Sequence, residues 1–453
     1  MNFTQFEFNQ KITAGIKACK YETPTPIQEK AIPAILEGRD ILGLAQTGTG
    51  KTAAFVLPIL ERLLKGPRGK IRTLIVAPTR ELAEQIHSDI TKLAFQTGLR
   101  SVAVYGGISK LPQVKKVRAG AEIVVACPGR LLDHLNDGTF NLRNVEHLVL
   151  DEADHMFDMG FLPDIRRILK ALPVKRQTLL FSATMPGEIR HLAEEILDNP
   201  VRVQIAHSKP TTTVSQVLYS VEQNGKTSLL KNIMAKTDMG ATLIFTRTKY
   251  RAKNLASHLE RAGYTATSLQ GNLSQNKRQK ALNGFKNGEF KVLVATDIAA
   301  RGIDVSGISH VINYDVPDTV EAYTHRVGRT GRAARTGEAF TFASRDDRKI
   351  ITQIERTLGK KMIRINDHDL TIDTPDRATS TEKPAKKSWH KSIKNRGSAG
   401  SGNRRPAGRS ANPKTAEKQN PSSARKRNSG NGQKRRSRAA ILNNGSGNLF
   451  LNP

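Results

Sequence analysis

Cysteine is scarce. The 453 residues contain two, Cys19 and Cys127, far apart and with neither CxxC nor Cys/His spacing. That pattern argues against a disulfide scaffold and a zinc site, and it favours a reducing compartment. Long apolar runs are also missing. The longest, Ala53 to Leu60, covers about two helical turns, well short of the ~18 residues a membrane span needs. The opening MNFTQFEFNQ has no basic head followed by an apolar stretch, so a secretory leader is not expected. Acidic residues run short as well, 41 Asp+Glu against 72 Lys+Arg, for a formal net charge of +31. What remains is a soluble, cytoplasmic chain of about two to three domains whose charge favours a polyanionic partner.

The charge is unevenly spread. Residues 374–453 hold 19 Lys+Arg and 3 Asp+Glu, so an 80-residue segment carries about half of the net charge. Its basic clusters, such as Arg425-Lys426-Arg427 and Lys434-Arg435-Arg436, are separated by Pro, Gly, Ser and Asn. Such a segment has too little apolar surface to offset its ordering entropy and is expected to be disordered. It reads either as a solubilising tail or as a sequence-independent RNA tether, and one-signed, clustered charge favours the tether. The only tryptophan, Trp389, lies within it, but a single aromatic is weak support for base stacking.

The remainder alternates short β-branched runs with helical-period stretches. Candidate strands are Ile41–Leu44, Thr73–Ala77, Glu122–Ala126, His147–Leu150 and Thr178–Phe181, with helices such as Ala53–Leu64 and Glu81–Phe95 between them. A second block repeats the style, with strands at Ala241–Phe245, Lys291–Ala295, His310–Asn313 and Glu338–Phe342 and a helix at Ala252–Ala262. Strands alternating with helices predict an α/β fold, with parallel sheets covered on both faces. His207 to Thr213 breaks both periodicities and marks a seam near residues 205–215. The expected partition is 1–206, 214–373 and the basic tail 374–453.

Ala45-Gln46-Thr47-Gly48-Thr49-Gly50-Lys51-Thr52 follows a candidate strand and opens a helix. Glycines there let backbone N–H groups converge on phosphate oxygens; Lys51 reaches the outer phosphates, and the Thr52 hydroxyl suits Mg²⁺. Ala45 stands where the usual pattern begins with Gly. Further on, the apolar run Leu148-Val149-Leu150 ends in Asp151-Glu152-Ala153-Asp154. Carboxylates at a strand's carboxyl end lie where open parallel sheets bind ligands. Asp151 is placed to hold Mg²⁺, and Glu152 to orient and deprotonate an attacking water. Alone these residues fit a solvated loop equally well; the upstream phosphate loop tips the reading to phosphoryl transfer. His325-Arg326-Val327-Gly328-Arg329-Thr330-Gly331-Arg332 supplies positive charge, and on a helix Arg329 and Arg332 share a face that can meet a γ-phosphate. In isolation that stretch is an ordinary surface basic patch.

Together these motifs resemble the DEAD-box ATP-dependent RNA helicases of superfamily 2, most closely the bacterial RhlE-type group. The resemblance spans roughly residues 3–350 through about ten motifs in order. It implies two tandem RecA-like domains of the P-loop NTPase kind, ATP and Mg²⁺ as ligands, and RNA-dependent ATP hydrolysis. Tyr21-Glu22-Thr23-Pro24-Thr25-Pro26-Ile27-Gln28 is similar to the family's adenine-reading motif, with Gln28 offering donor and acceptor and Tyr21 stacking on the base, aided by Phe3 upstream. Ser182-Ala183-Thr184 resembles the segment that couples hydrolysis to unwinding through Asp154, with His325 and Arg326 on the other side. Asp304 matches the ribose-contacting position.

The same resemblance implies RNA contacts at Pro78, Thr79, Arg80, Gly107, Pro128, Gly129 and Arg130, then Thr246, Gln275, Arg278 and Thr296. Hydroxyls, exposed backbone N–H groups and arginines grip phosphates and 2′-hydroxyls without a base code. Two positions depart from the pattern, Cys127 for the usual Thr and Gln270-Gly271 for His-Gly; a missing hydroxyl at 127 is expected to trim RNA affinity modestly. The implied mechanism is closure of two domains on ATP and one RNA strand, which bends and locally opens a duplex or remodels an RNA–protein complex. A DNA-directed motor and a non-catalytic RNA chaperone are the rivals. Ribosome assembly, RNA decay and cold-linked refolding all fit such an unwinder.

Overall fold

The computed structural model describes residues 2–46, 48–205, 214–300, 305, 307–331 and 336–366. The basic tail 374–453 and the site candidates Thr47, Asp304 and Arg332 lie outside the described residues. Seven strands build the first sheet: β1 (Ile41–Leu44), β2 (Thr73–Val76), β3 (Ser101–Val104), β4 (Ile123–Ala126), β5 (His147–Leu150), β6 (Gln177–Ser182) and β7 (Val201–Gln204). Seven more build the second: β8 (Val214–Ser220), β9 (Ala241–Phe245), β10 (Ala266–Leu269), β11 (Val292–Ala295), β12 (Ile308–Asn313), β13 (Gly337–Ala343) and β14 (Ile363–Asn366). Their spatial orders are β3-β4-β2-β5-β6-β1-β7 and β10-β11-β9-β12-β13-β8-β14, which is one order used twice. Every described pairing is parallel, as in β1 with β6 (Ile41 opposite Leu179) and β12 with β13 (His310 opposite Glu338).

Parallel strands need crossover helices, and those cover both faces. The central strands accordingly send alternate residues into two separate cores. Ile75, Val125, Val149 and Leu179 pack on one face of the first sheet. Their neighbours Leu74, Val124, Leu148 and Leu180 pack on the other. The second sheet divides likewise, Ile244 and Val294 against Leu243 and Leu293. Burial on both faces is why these strands read as unbroken apolar runs. β3, β7, β10 and β14 are the four edge strands; in β7 Arg202 and Gln204 are exposed.

His147, at the start of β5, is buried, and its Nδ1 lies 3.0 Å from Gln177 Oε1. The Gln177 amide nitrogen donates to the carbonyls of Ile35 and Arg39, so its oxygen faces the imidazole and Nδ1 carries the proton. Nε2 is buried and has no partner among the described residues. Burial first, then the Arg62 charge, pushes this histidine from its ordinary 6.5 down to about 4. A folded pKa below the unfolded one means stability that is full above 6.5 and lost as pH falls through about 4. The Tm advantage of wild type over His147→Gln should therefore shrink across that window; an advantage constant with pH would show that His147 does not enter the fold neutral.

Candidate nucleotide and RNA site

The phosphate loop leaves β1 and enters the helix Lys51–Leu63, whose N-cap is Gly50 at φ +90°. Its shape is held from several sides. Ala45 N–H donates to the Ser182 carbonyl on β6 at 3.0 Å. Thr49 Oγ1 donates to the Gln46 carbonyl at 2.8 Å. The buried Lys51 ammonium donates to the Ala45 carbonyl at 2.8 Å, so it sits curled inside the loop, and Thr52 follows on the first helical turn. Gly48 takes φ +86°.

Gln28, buried on the helix Pro26–Leu36, reaches this loop. Its Nε2 donates to the Gly50 carbonyl at 3.0 Å and its Oε1 accepts from Thr25 N–H at 2.9 Å. A carboxamide carries two donors and two acceptor sites, so one of each remains for an adenine edge. Tyr21 is 38% exposed and stacks on the buried Phe3, ring centroids 6.2 Å apart.

Behind the loop, β5 ends at Leu150 and Asp151, Glu152 and Asp154 follow, all buried. Glu152 has φ +53°, a left-handed conformation that non-glycine residues rarely take. It turns the chain from strand into the short helix Ala153–Asp158. Burial raises the Asp151 carboxyl to about 6, against the opposing pull of Lys51. Burial also penalises the Glu152 charge, but His155, Lys51 and Arg329 outweigh it and leave that group below the ordinary glutamate range. Asp154 is tied to the segment after β6: its Oδ2 accepts from Ala183 N–H (3.1 Å), Thr184 N–H (2.8 Å) and Thr184 Oγ1 (3.0 Å). Ser182 Oγ lies 3.3 Å from Asp154 N and donates to the Thr184 carbonyl. The carboxylate and the Ser-Ala-Thr segment thus form one hydrogen-bonded unit.

The second half meets this cluster through the helix Val320–Val327 and the turn after it. His325 Nδ1 lies 3.1 Å from His155 Nε2. Arg329 is buried, and its charge acts on Glu152. Arg326 does something else. Its guanidinium pairs with both Asp297 oxygens at 2.5 and 2.6 Å, donates to Asn313 Oδ1 and the Asp315 carbonyl, and lies 5.0 Å from the Phe245 ring centre. All of its described partners belong to the second half.

That half carries a counterpart of the phosphate loop that sequence reasoning missed. Gly225-Lys226-Thr227 follows β8 as Gly50-Lys51-Thr52 follows β1, and Asp315 lies past β12 as Asp151 lies past β5. The tripeptide itself was the available signal. Lys226, however, donates to the Tyr314 carbonyl at 2.9 Å and lies 3.7 Å from Asp315 Oδ1. Asp315 also receives Arg251 at 2.5 Å and Arg247 N–H at 2.9 Å. With Gln223 where the first loop has Gly48, this loop is closed by internal pairing.

The expected RNA contacts gather in two groups. In the first half, Thr79 Oγ1 caps Leu82 N–H after the Pro78 turn, and a Cβ on Gly107 would collide with the Arg80 guanidinium. Arg130 donates to the Ile108 carbonyl at 2.9 Å, and Gly129, following Pro128 at a helix start, has nothing within 4 Å of its Cβ position. Backbone and two guanidinium groups converge there in open space. Cys127 caps the same helix without a side-chain bond, and burial, reinforced by Glu81, pushes its thiol up to about 12. In the second half Thr246 is buried at the end of β9 and Thr296 follows β11. Arg278 donates to Glu81 Oε1 at 2.8 Å and Gln275 Nε2 lies 3.5 Å from it. Glu81, which lies within the motif Pro78 to Ala83 but was not among the expected contact residues, therefore draws the two groups together.

Two RecA-like sheets, a phosphate loop and an acidic strand end define a P-loop NTPase. The sequence model for DEAD/DEAH box helicase matches residues 25–192, and that for the helicase conserved C-terminal domain matches residues 225–334. The ATP-dependent RNA helicase CshA of Listeria monocytogenes is 44% identical over 361 residues, 80% of this chain and 69% of its own length. RhpA of Helicobacter pylori is 41% identical, over 80% of this chain and 73% of its own. The solved structure of S. cerevisiae Dbp5 bound to RNA and ADP BeF3 superposes with a TM-score of 0.73 at 30% identity, covering 81% of this chain and 96% of that one. The chain belongs to the DEAD-box ATP-dependent RNA helicases: it is an RNA-dependent ATPase that couples ATP hydrolysis to RNA unwinding or remodelling. The two relatives carry the names CshA and RhpA, not RhlE.

Proposed function

We propose that ATP is hydrolysed between the two halves, and that the RNA strand is gripped along the seam that Glu81 and Arg278 join. The observation that carries this is the meeting of the first half's acidic strand end with the second half's arginine-bearing helix, at His155 and His325. In this reading Gln28 and Tyr21 select adenine. The backbone of Ala45 to Gly50, together with Lys51, cradles the phosphates. Asp304 holds the ribose, Glu152 orients and deprotonates the water, and Arg329 and Arg332 neutralise the γ-phosphate.

Asp151 and Thr52 fit Mg²⁺: a buried carboxylate whose ionisation burial opposes gains from a cation, and this metal takes few protein ligands beside phosphate and water. No cluster of three His, Cys, Asp or Glu suited to a metal occurs among the described residues, which accords with so sparse a set. When bound, Mg²⁺ would supply charge neutralisation on the phosphates. Asp154 with Ser182 and Thr184 passes the loss of the γ-phosphate to the RNA seam, and closure on one strand expels the other.

The partition into 1–206, 214–373 and a basic tail 374–453 serves this scheme, with the tail as an RNA tether. A cytoplasmic role in ribosome assembly or RNA decay suits it; among the described residues no helix is long and apolar enough to cross a membrane. Steady-state ATPase with no nucleic acid, RNA or matched DNA tests the reading alongside Glu152→Gln. RNA-specific stimulation that the substitution abolishes is expected; equal stimulation by DNA, or full turnover without the Glu152 carboxylate, would overturn it. Removing residues 374–453 should weaken RNA binding and flatten its salt dependence, since fewer counterions are released; an unchanged salt slope would exclude the tether.

A further inference from the structure

The residue directly after the acidic cluster, His155, is buried and makes two side-chain contacts of opposite kind. Its Nδ1 lies 2.9 Å from Glu152 Oε2 and its Nε2 lies 3.1 Å from His325 Nδ1, with the two rings edge to face at 86°. Its backbone N–H donates to Asp154 Oδ1 at 3.0 Å, which anchors the ring's base. Around the pair stand Glu152 and Asp154 from the first half and Arg329 from the second. Burial first, then His155, pushes His325 down to about 4, so at neutral pH it holds a single ring proton.

An ionised Glu152 carboxylate only accepts, so the nitrogen facing it, His155 Nδ1, carries a proton. On the other side of the ring Nε2 shares one proton with His325 Nδ1. His155 thus links the Glu152 carboxylate to the helix of the second half. Without His325 the ring is held only at its Glu152 edge and through its backbone.

We propose that His155 is a positioning residue that reports closure of the second half to Glu152: His325 holds the far edge of the His155 ring, and the held ring keeps the Glu152 carboxylate in place. This rests on the reading of Glu152 as the water-orienting group. Hydrolysis before closure is thereby suppressed by a contact that touches neither ATP nor RNA.

The test uses the full-length protein. Asparagine places its amide near the Nδ1 position of histidine but cannot reach His325; glutamine reaches towards the Nε2 position but offers Glu152 no donor. His155→Asn, His155→Gln and His325→Ala should each leave the ATP dissociation constant within about twofold and lower RNA-stimulated kcat about tenfold. The His155→Asn/His325→Ala double variant should be no slower than the worse single variant. In ¹⁵N-histidine-labelled protein, the ring signal lost in His155→Asn should be displaced in His325→Ala.

Wild-type kcat in either His155 variant, additive losses in the double variant, or an unshifted His155 ring signal without His325 would overturn the proposal. Should the His155 variants misfold, His325→Ala with its kcat and the His155 ring signal decides it. If Glu152→Gln retained full turnover, the reading of Glu152 would fail instead, while the ring signal would still stand or fall by itself.

Discussion

Arg329→Ala is expected to lower RNA-stimulated turnover by about 10³-fold or more, with ATP affinity little changed. The transferred phosphoryl group leaves the protein little to do beyond positioning and neutralising charge, so a lost guanidinium falls on the transition state more than on the bound substrate. Arg329 is singled out by its surroundings. It is buried, and its charge reaches the Glu152 carboxylate across the seam. Arg326, three residues earlier and equally conspicuous in the sequence, is held by Asp297, Asn313 and the Asp315 carbonyl. Its replacement should instead cost about 1–3 kcal/mol of stability, because buried Asn313 and the Asp315 carbonyl would lose their donor and Asp297 its counter-charge. Single-turnover hydrolysis, nucleotide binding and thermal melts on both variants separate the two. Turnover within threefold of wild type in Arg329→Ala, or an unaltered melt in Arg326→Ala, would reverse these assignments.

Gly50→Ala should abolish measurable ATP binding, by at least about two orders of magnitude, while the sheets remain folded. A Cβ on Gly50 would lie 2.6 Å from Gln28 Nε2 and 2.9 Å from Thr25 Oγ1, and the backbone there sits at φ +90°. An L side chain costs roughly 1–2 kcal/mol in that region before any clash is counted. The loop can relieve both only by moving Gly50, which carries the carbonyl that Gln28 reads and directly precedes Lys51. The adenine-reading residue and the phosphate loop would lose register together. Pairing Gly50→Ala with Gln28→Ala removes the nearer contact but keeps the one with Thr25 Oγ1 and the strained φ, and it deletes the adenine-reading amide, so no recovery is expected. Unaltered binding by Gly50→Ala, measured by nucleotide titration, would show that the loop adopts a different backbone when ATP is bound.

Much of the fold was legible because its central strands are buried on both faces. Thr73 to Val76, Ile123 to Ala126 and His147 to Leu150 read as short apolar runs and are strands. Two of the edge strands were not legible: β7 interleaves exposed Arg202 and Gln204, and β14 is the tetrapeptide Ile363-Arg364-Ile365-Asn366. An edge strand owes its conformation to one neighbour's hydrogen bonds more than to its own side chains. The expected helix Ala53–Leu64 starts earlier, at Lys51, because Gly50 in the left-handed region forms its cap.

The sequence by itself determined where the phosphate-site chemistry lies. A phosphate loop, an acidic strand end and their order along the chain are local features, set by backbone freedom at glycines and by carboxylates following an apolar run. Tertiary structure alone decided how those pieces are used. Gly-Lys-Thr occurs at the same topological place in both halves, yet Lys226 is paired with Asp315 and the Tyr314 carbonyl, whereas Lys51 folds back into its own loop beside Asp151. His155 meets His325 across 170 residues of sequence and Glu81 meets Arg278 across 197. Such contacts leave no periodicity in the chain, because each joins single residues that only the packing of two separately folded sheets brings within hydrogen-bond reach.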